Sequence, residues 1–208
     1  MAIFSPLFRR RFRMVVSCLL IVAGAFGTVY ATKASLAQRL YLKTKYGLFR
    51  GLEREIPSTA EGLEVAARAY RAYALYPKNY YFPTYAAKCA LEDATAAGNS
   101  ADFRSHLTRA IYFSKLALAL NPYEAEVRML YTLILAEDGK PDEAIAYWRD
   151  EVLEREFWNS GNHNFMARLY LRSSKIDDMK AAVAELPFVS DADMKKTLQQ
   201  LKKGLGQK

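Results

Sequence analysis

Residues 121–154 read NPYEAEVRMLYTLILAEDGKPDEAIAYWRDEVLE, and the order of signals in this stretch decides the fold. Asp138-Gly139 fits a tight turn between two helical patterns, and Asp142-Glu143-Ala144-Ile145 fits the start of the second. Working outward, two other segments align with that second helix. VAARAYRAYALYP (65–77), AIYFSKLALALNP (110–122) and AIAYWRDEVLERE (144–156) each open on a small or apolar residue and stop after about twelve. Pro77 and Pro122 end two of them, because proline cannot continue the hydrogen-bond ladder of a preceding helix. Helical patterns alternate with short breakers throughout, and strand-like alternation is scarce. The expectation is an all-α chain built from repeated helical hairpins.

At these residues the sequence resembles the tetratricopeptide repeat (TPR) family. Ala144 matches the small residue that lets the second helix approach the first, and Trp148 is the aromatic one turn later. Ala110, Ala117 and Pro122 match the small, small and proline positions of the preceding unit. A third unit lies in NFMARLYLRSSKIDDMKAAVAEL (164–186), where Ser173-Ser174-Lys175 replaces the turn glycine. There are departures. The family's early tryptophan is Arg128 here, its leucine is Tyr131 and its following glycine is Thr132. Pro77 and Pro122 lie 45 residues apart against a family period of about 34, so an insertion is expected near Gly98-Asn99-Ser100. The resemblance covers residues 62–186 and implies a short TPR-like helical-hairpin solenoid.

Ahead of the repeats, Met14 to Ala31 reads MVVSCLLIVAGAFGTVYA, a run of eighteen residues without a charge. At about 1.5 Å per residue it reaches roughly 27 Å, enough to cross a hydrocarbon core. We read it as a single retained transmembrane helix. A cleaved signal peptide is the alternative, with Val29-Tyr30-Ala31 or Ala23-Gly24-Ala25 as processing sites, and the protein would then be a soluble periplasmic or secreted binding module. An Arg-rich, acid-free segment also fits a mitochondrial presequence. Arg9, Arg10, Arg11 and Arg13 crowd the N-terminal flank, while Lys33, Arg39, Lys43 and Lys45 follow the run less densely. The positive-inside rule therefore places the N-terminus in the cytoplasm and the repeat domain in the periplasm of a bacterium. Ala23, Gly27 and Ala31 share one helix face, a spacing that lets a second membrane helix approach closely, though alanine and glycine are common in membrane helices anyway. Past the membrane the helix has no proline until Pro57, with Gly47 and Gly51 as weak points and Ala37, Tyr41, Leu48 and Leu52 as a loose apolar stripe. The organisation expected is a basic tail (1–13), a membrane helix (14–31), a stalk (32–56), the repeat domain (57–188) and a polar C-terminal helix or tail (189–208).

The formal charge of +8 is an N-terminal property. Residues 1–52 hold nine Lys or Arg and no Asp or Glu, which leaves −1 for residues 53–208. A near-neutral folded part argues against nucleic-acid binding. Cys18 and Cys89 lie in settings too different for a disulfide. No phosphate loop, nucleophile elbow or paired-cysteine metal site is present, so no catalytic residue, metal, cofactor or small-molecule substrate is expected. His106 and His163 read as surface or capping residues.

In TPR proteins the first helix of each pair lines the concave surface. The resemblance turns Glu126, Met129, Leu133 and Ala136 inward in the best repeat. In the next, Asn164, Arg168 and Arg172 form a polar stripe, able to grip a partner's backbone or carboxylates or simply to meet solvent. Tyr70, Tyr73, Tyr76, Tyr80, Tyr81 and Tyr85 crowd one region and read either as packing between repeats or as a binding surface. The function expected is that of a membrane-anchored scaffold for protein partners, a membrane protein among them, within a bacterial envelope complex, and not that of an enzyme.

Overall fold

With no proline between Pro6 and Pro57 to break it, helix α1 runs unbroken through Gly47 from Pro6 to Gly51. The computed structural model describes residues 6–51, 59–173 and 175–206, with side chains over 12–42, 67–173 and 175–206. Among the described residues there are nine α-helices, one π turn and no strand. The chain divides into two compact units, residues 1–79 and 80–208.

The first unit contains α1 and α2 (Thr59–Leu75), which pack along one another. Ala37 of α1 is fully buried, and Ala34 and Tyr41, on the same face, are half-buried. The other members of the sequence stripe, Leu48 and Leu52, lie outside the described side chains. α2 runs back along α1, and just past its end the Tyr76 ring meets Tyr30 edge-on with centroids 5.2 Å apart. Toward the N-terminus α1 is uncovered: Leu20, Ile21 and Phe26 are 68%, 71% and 74% exposed. Within this apolar stretch the Thr28 hydroxyl donates to the Gly24 carbonyl (2.9 Å) and Thr32 to that of Thr28 (2.8 Å), so neither hydroxyl is left unpaired. Phe12–Leu42 is long and apolar enough to cross a membrane.

The second unit stacks three hairpins: α3 (Tyr81–Ala96) with α4 (Ser100–Leu120), α5 (Ala125–Glu137) with α6 (Pro141–Trp148), and α7 (Ser160–Ser173) with α8 (Ile176–Ala184). The small residues that align between repeats, Ala110, Ala117 and Ala144, are all fully buried, as close helix approach requires. Leu107, Leu130 and Ile134 join Ala87, Ala90 and Ala110 in one core cluster, which fuses the first hairpin to the second. Trp148 centres the next, against Met166 and Leu169. It is fully buried, its indole N–H donates to the Asn162 carbonyl (3.1 Å), and its ring lies 4.3 Å from Phe165. Cys89 is buried, and burial, then the nearby Glu92 and Asp93 carboxylates, push its thiol up.

The turn at Asp138-Gly139 forms as the sequence implies. Gly139 has φ +75°, the Lys140 N–H reaches the Leu135 carbonyl (3.0 Å) and the Gly139 N–H that of Ala136 (3.2 Å). This is a Schellman cap, which favours glycine at the left-handed position.

Three departures from the TPR pattern acquire a physical account. Arg128, at the tryptophan position, is buried. Its Nε donates to the Pro122 carbonyl (2.7 Å) and a terminal N–H to that of Glu151 (3.2 Å), and its guanidinium lies 5.7 Å from the Tyr123 ring. The Glu151 carbonyl belongs to the π turn Arg149–Leu153 that continues α6. Tyr131 packs edge-on to Tyr147 at 5.0 Å, and the buried Thr132 returns its hydroxyl to the Arg128 carbonyl (2.8 Å). The 45-residue interval is a correction: α3 and α4 are joined by only three residues, and the extra length lies in the helices, above all the 21 residues of α4. Helix can lengthen this way because each added turn still satisfies its own backbone.

α9 (Ala192–Gly204) follows the third hairpin and is capped by Asp191, which accepts from the Met194 N–H (2.9 Å). The polar C-terminal stretch is therefore a packed helix: Val189 and Leu198 are buried with Ala167 and Ala182.

Candidate functional site

The first helices of successive hairpins, α3, α5 and α7, are joined across the second unit by side-chain ion pairs. Lys88 of α3 pairs with Glu126 of α5, and Glu137 of α5 with Arg172 of α7. Arg168 of α7 lies 3.4 Å from Asp191 at the start of α9. Asn164 donates to the Ser190 hydroxyl (3.1 Å) and accepts from the Ser190 and Asp191 N–H groups (3.2 and 3.4 Å), fixing the turn into α9. The polar stripe proposed from sequence thus faces groups of its own chain. Between the pairs, Met129 is 39% exposed while Leu133 and Ala136 are half-buried.

These internal pairs are weak obstacles to a partner. The Arg172 and Glu137 side chains are 48% and 28% exposed, and exposed pairs are worth about 0–1 kcal/mol. A partner's carboxylate can take over the Arg172 or Arg168 guanidinium at little cost, while Met129 offers an adaptable apolar contact. The face thus holds cations already oriented, with an apolar centre.

The tyrosines divide. Tyr76 packs on Tyr30 in the first unit. In the second, Tyr80 stacks on Tyr81 at 4.1 Å and donates to the Glu124 carboxylate (2.9 Å), tying the start of the first hairpin to the start of the second.

Two features escaped sequence reasoning. His163, read from sequence as a surface or capping residue, is buried: Nδ1 lies 2.5 Å from the Glu185 carboxylate, Nε2 2.6 Å from the Phe157 carbonyl, and Phe188 stacks on the ring at 4.7 Å. Its place at the start of α7 lets it tie the loops on either side of the third hairpin. Around it Phe157, Trp158 and Phe188 are 65%, 71% and 55% exposed. The adjacent Phe157-Trp158 pair beyond a helical pattern was the available signal, but loops carry no periodicity to highlight it. Among the described residues no group of three His, Cys, Asp or Glu side chains converges as a metal site would need.

No protein-family model matches the chain, and no curated protein does. Among solved structures it is similar to a thermophilic TPR protein of Thermus thermophilus, with a TM-score of 0.61 and 19% identity over 88% of this chain and 95% of that one. The buried alanines, the glycine-capped turn and this likeness agree: the fold is a TPR-like helical solenoid.

Proposed function

We propose that this protein is a single-pass membrane scaffold whose repeats hold a protein partner, acting as an accessory subunit of a bacterial inner-membrane or envelope complex. The observation that carries the reading is the union, in one chain, of a TPR-like solenoid and an N-terminal helix whose apolar side chains have no protein cover. Stacked helical hairpins present an extended face suited to a peptide or helix. The face assigned to the partner is that of Glu126, Met129, Leu133, Asn164, Arg168 and Arg172.

The membrane part of the reading rests on α1. Gly24 and Gly27 have open space where a side chain would begin, so nothing in their own chain demands their small size. A second membrane helix packed on the Ala23, Gly27 and Ala31 face supplies the reason. The arginines at 9–13 favour a cytoplasmic N-terminus and periplasmic repeats. Retention of α1 is supported by the Tyr30–Tyr76 contact, which cleavage after Ala31 would remove.

Photocrosslinking tests the partner face. A benzophenone amino acid at Met129, activated in native membranes, should trap a reproducible protein, and the same group at the exposed Tyr112 of α4 should not. Equal products at both positions, or none at 129, would refute the assignment.

A further inference from the structure

We infer that the turn just past α2, Tyr76-Pro77-Lys78, lies in the lipid headgroup layer beside Tyr30, so that the first unit rests on the membrane that α1 crosses; this rests on the anchor reading above. The geometry starts from a continuous helix. The charge-free run ends at Ala31 and the first cation is the exposed Lys33, which puts Tyr30 at the boundary between hydrocarbon and water. α2 runs back along α1 and stops at that level, and the Tyr76 ring just past its end meets Tyr30 at 5.2 Å. Two tyrosines are thus paired where an amphipathic ring is most stable, its body toward the acyl chains and its hydroxyl toward the headgroups.

The charges agree with lipid. Lys33, Arg71 and Lys78 are exposed, and neither 12–42 nor 65–79 contains an Asp or Glu. Cations on long stems reach lipid phosphates from just above the acyl boundary. The loops that follow the later hairpins differ: the chain carries Glu124 after the first, Glu154 and Glu156 after the second, and Glu185 and Asp191 after the third. An acid-free, tyrosine-bearing helix end at the depth of the membrane boundary matches an anionic headgroup surface, where the acidic loops would be repelled.

Nitroxide depth measurements decide the matter. The full chain, with Cys18 and Cys89 replaced by alanine, is reconstituted in phosphatidylethanolamine–phosphatidylglycerol vesicles and labelled at one cysteine. The positions are Leu20 in the span, Ala74 near the end of α2 (exposed and outside the tyrosine pair) and Tyr112 in α4. Power saturation with oxygen and a nickel chelate should place 20 deep in hydrocarbon, 74 at headgroup depth and 112 in water. Label 74 as accessible to the chelate as label 112, with label 20 still deep, would overturn the docking inference and leave the anchor standing. Label 20 in water would overturn both.

Discussion

The N-terminal part of α1 and the α5–α6 hairpin are both rich in apolar residues, yet they place them oppositely. In the hairpin Val127, Ile134, Ala144 and Trp148 are fully buried, while in α1 Leu20, Ile21 and Phe26 are each more than two-thirds exposed. The difference lies in pattern. The hairpin buries one stripe of each helix against its neighbours and leaves an outer face that carries charges such as Glu126 and Glu143. The 14–31 run is apolar on every side, so no single neighbour can cover it. One region is stabilised by water's exclusion from a packed interior; the other, under the proposed anchor, finds its apolar surroundings in the bilayer.

The largest expected effect separates the two at the hairpin. Trp148→Ala removes a fully buried ring and its bond to the Asn162 carbonyl, and should lower stability by about 3–5 kcal/mol in thermal or urea unfolding. Membrane association should persist as long as α1 is intact. The reciprocal change is Leu20→Arg, which sets a charge near the centre of the span at about 2.5–3.5 kcal/mol. It should release protein on alkaline extraction, while Leu120→Arg, at a partly exposed site in α4, should not. Both variants behaving alike would erase the distinction.

Arg128→Met sharpens the comparison within the repeats. It removes two bonds to backbone carbonyls and leaves the Pro122 and Glu151 oxygens unpaired, at a cost of about 1–3 kcal/mol. Hydrogen exchange should rise first at residues around 121–124 and 149–153, the segments Arg128 ties together. The smallest stability effect belongs to Arg172→Ala, at about 0–1 kcal/mol, because its pair with Glu137 is exposed. Its test is separate: partner capture should fall several-fold while the melting temperature hardly moves. A large loss of stability would reassign Arg172 from recognition to bracing.

What was legible in the sequence was whatever repeats or punctuates. Ala110, Ala117 and Ala144 declared close helix contacts because steric need leaves a small residue at a fixed spacing. Asp138-Gly139 declared a turn because a positive φ favours glycine. The extra length before Pro122 was legible as a count and placed near Gly98-Asn99-Ser100, but not as added turns of α4, since a lengthened helix leaves no breaker to read. The stripe of Asn164, Arg168 and Arg172 was visible, but its partners Asp191 and Glu137 were not, because pairing across helices depends on how the hairpins stack. Arg128 looked like a mismatch until Pro122 and Glu151 were seen to supply its acceptors. His163 gave no sign of burial because one histidine at the start of a helix has no periodic context.

The most direct test of an anchored scaffold is crosslinking mass spectrometry on the full chain taken from native membranes in mild detergent. An anchored scaffold should give an intact N-terminal peptide and reproducible crosslinks from the 126–172 region to one protein partner. A processed N-terminus with no membrane partner would contradict it and leave a soluble binding module in its place.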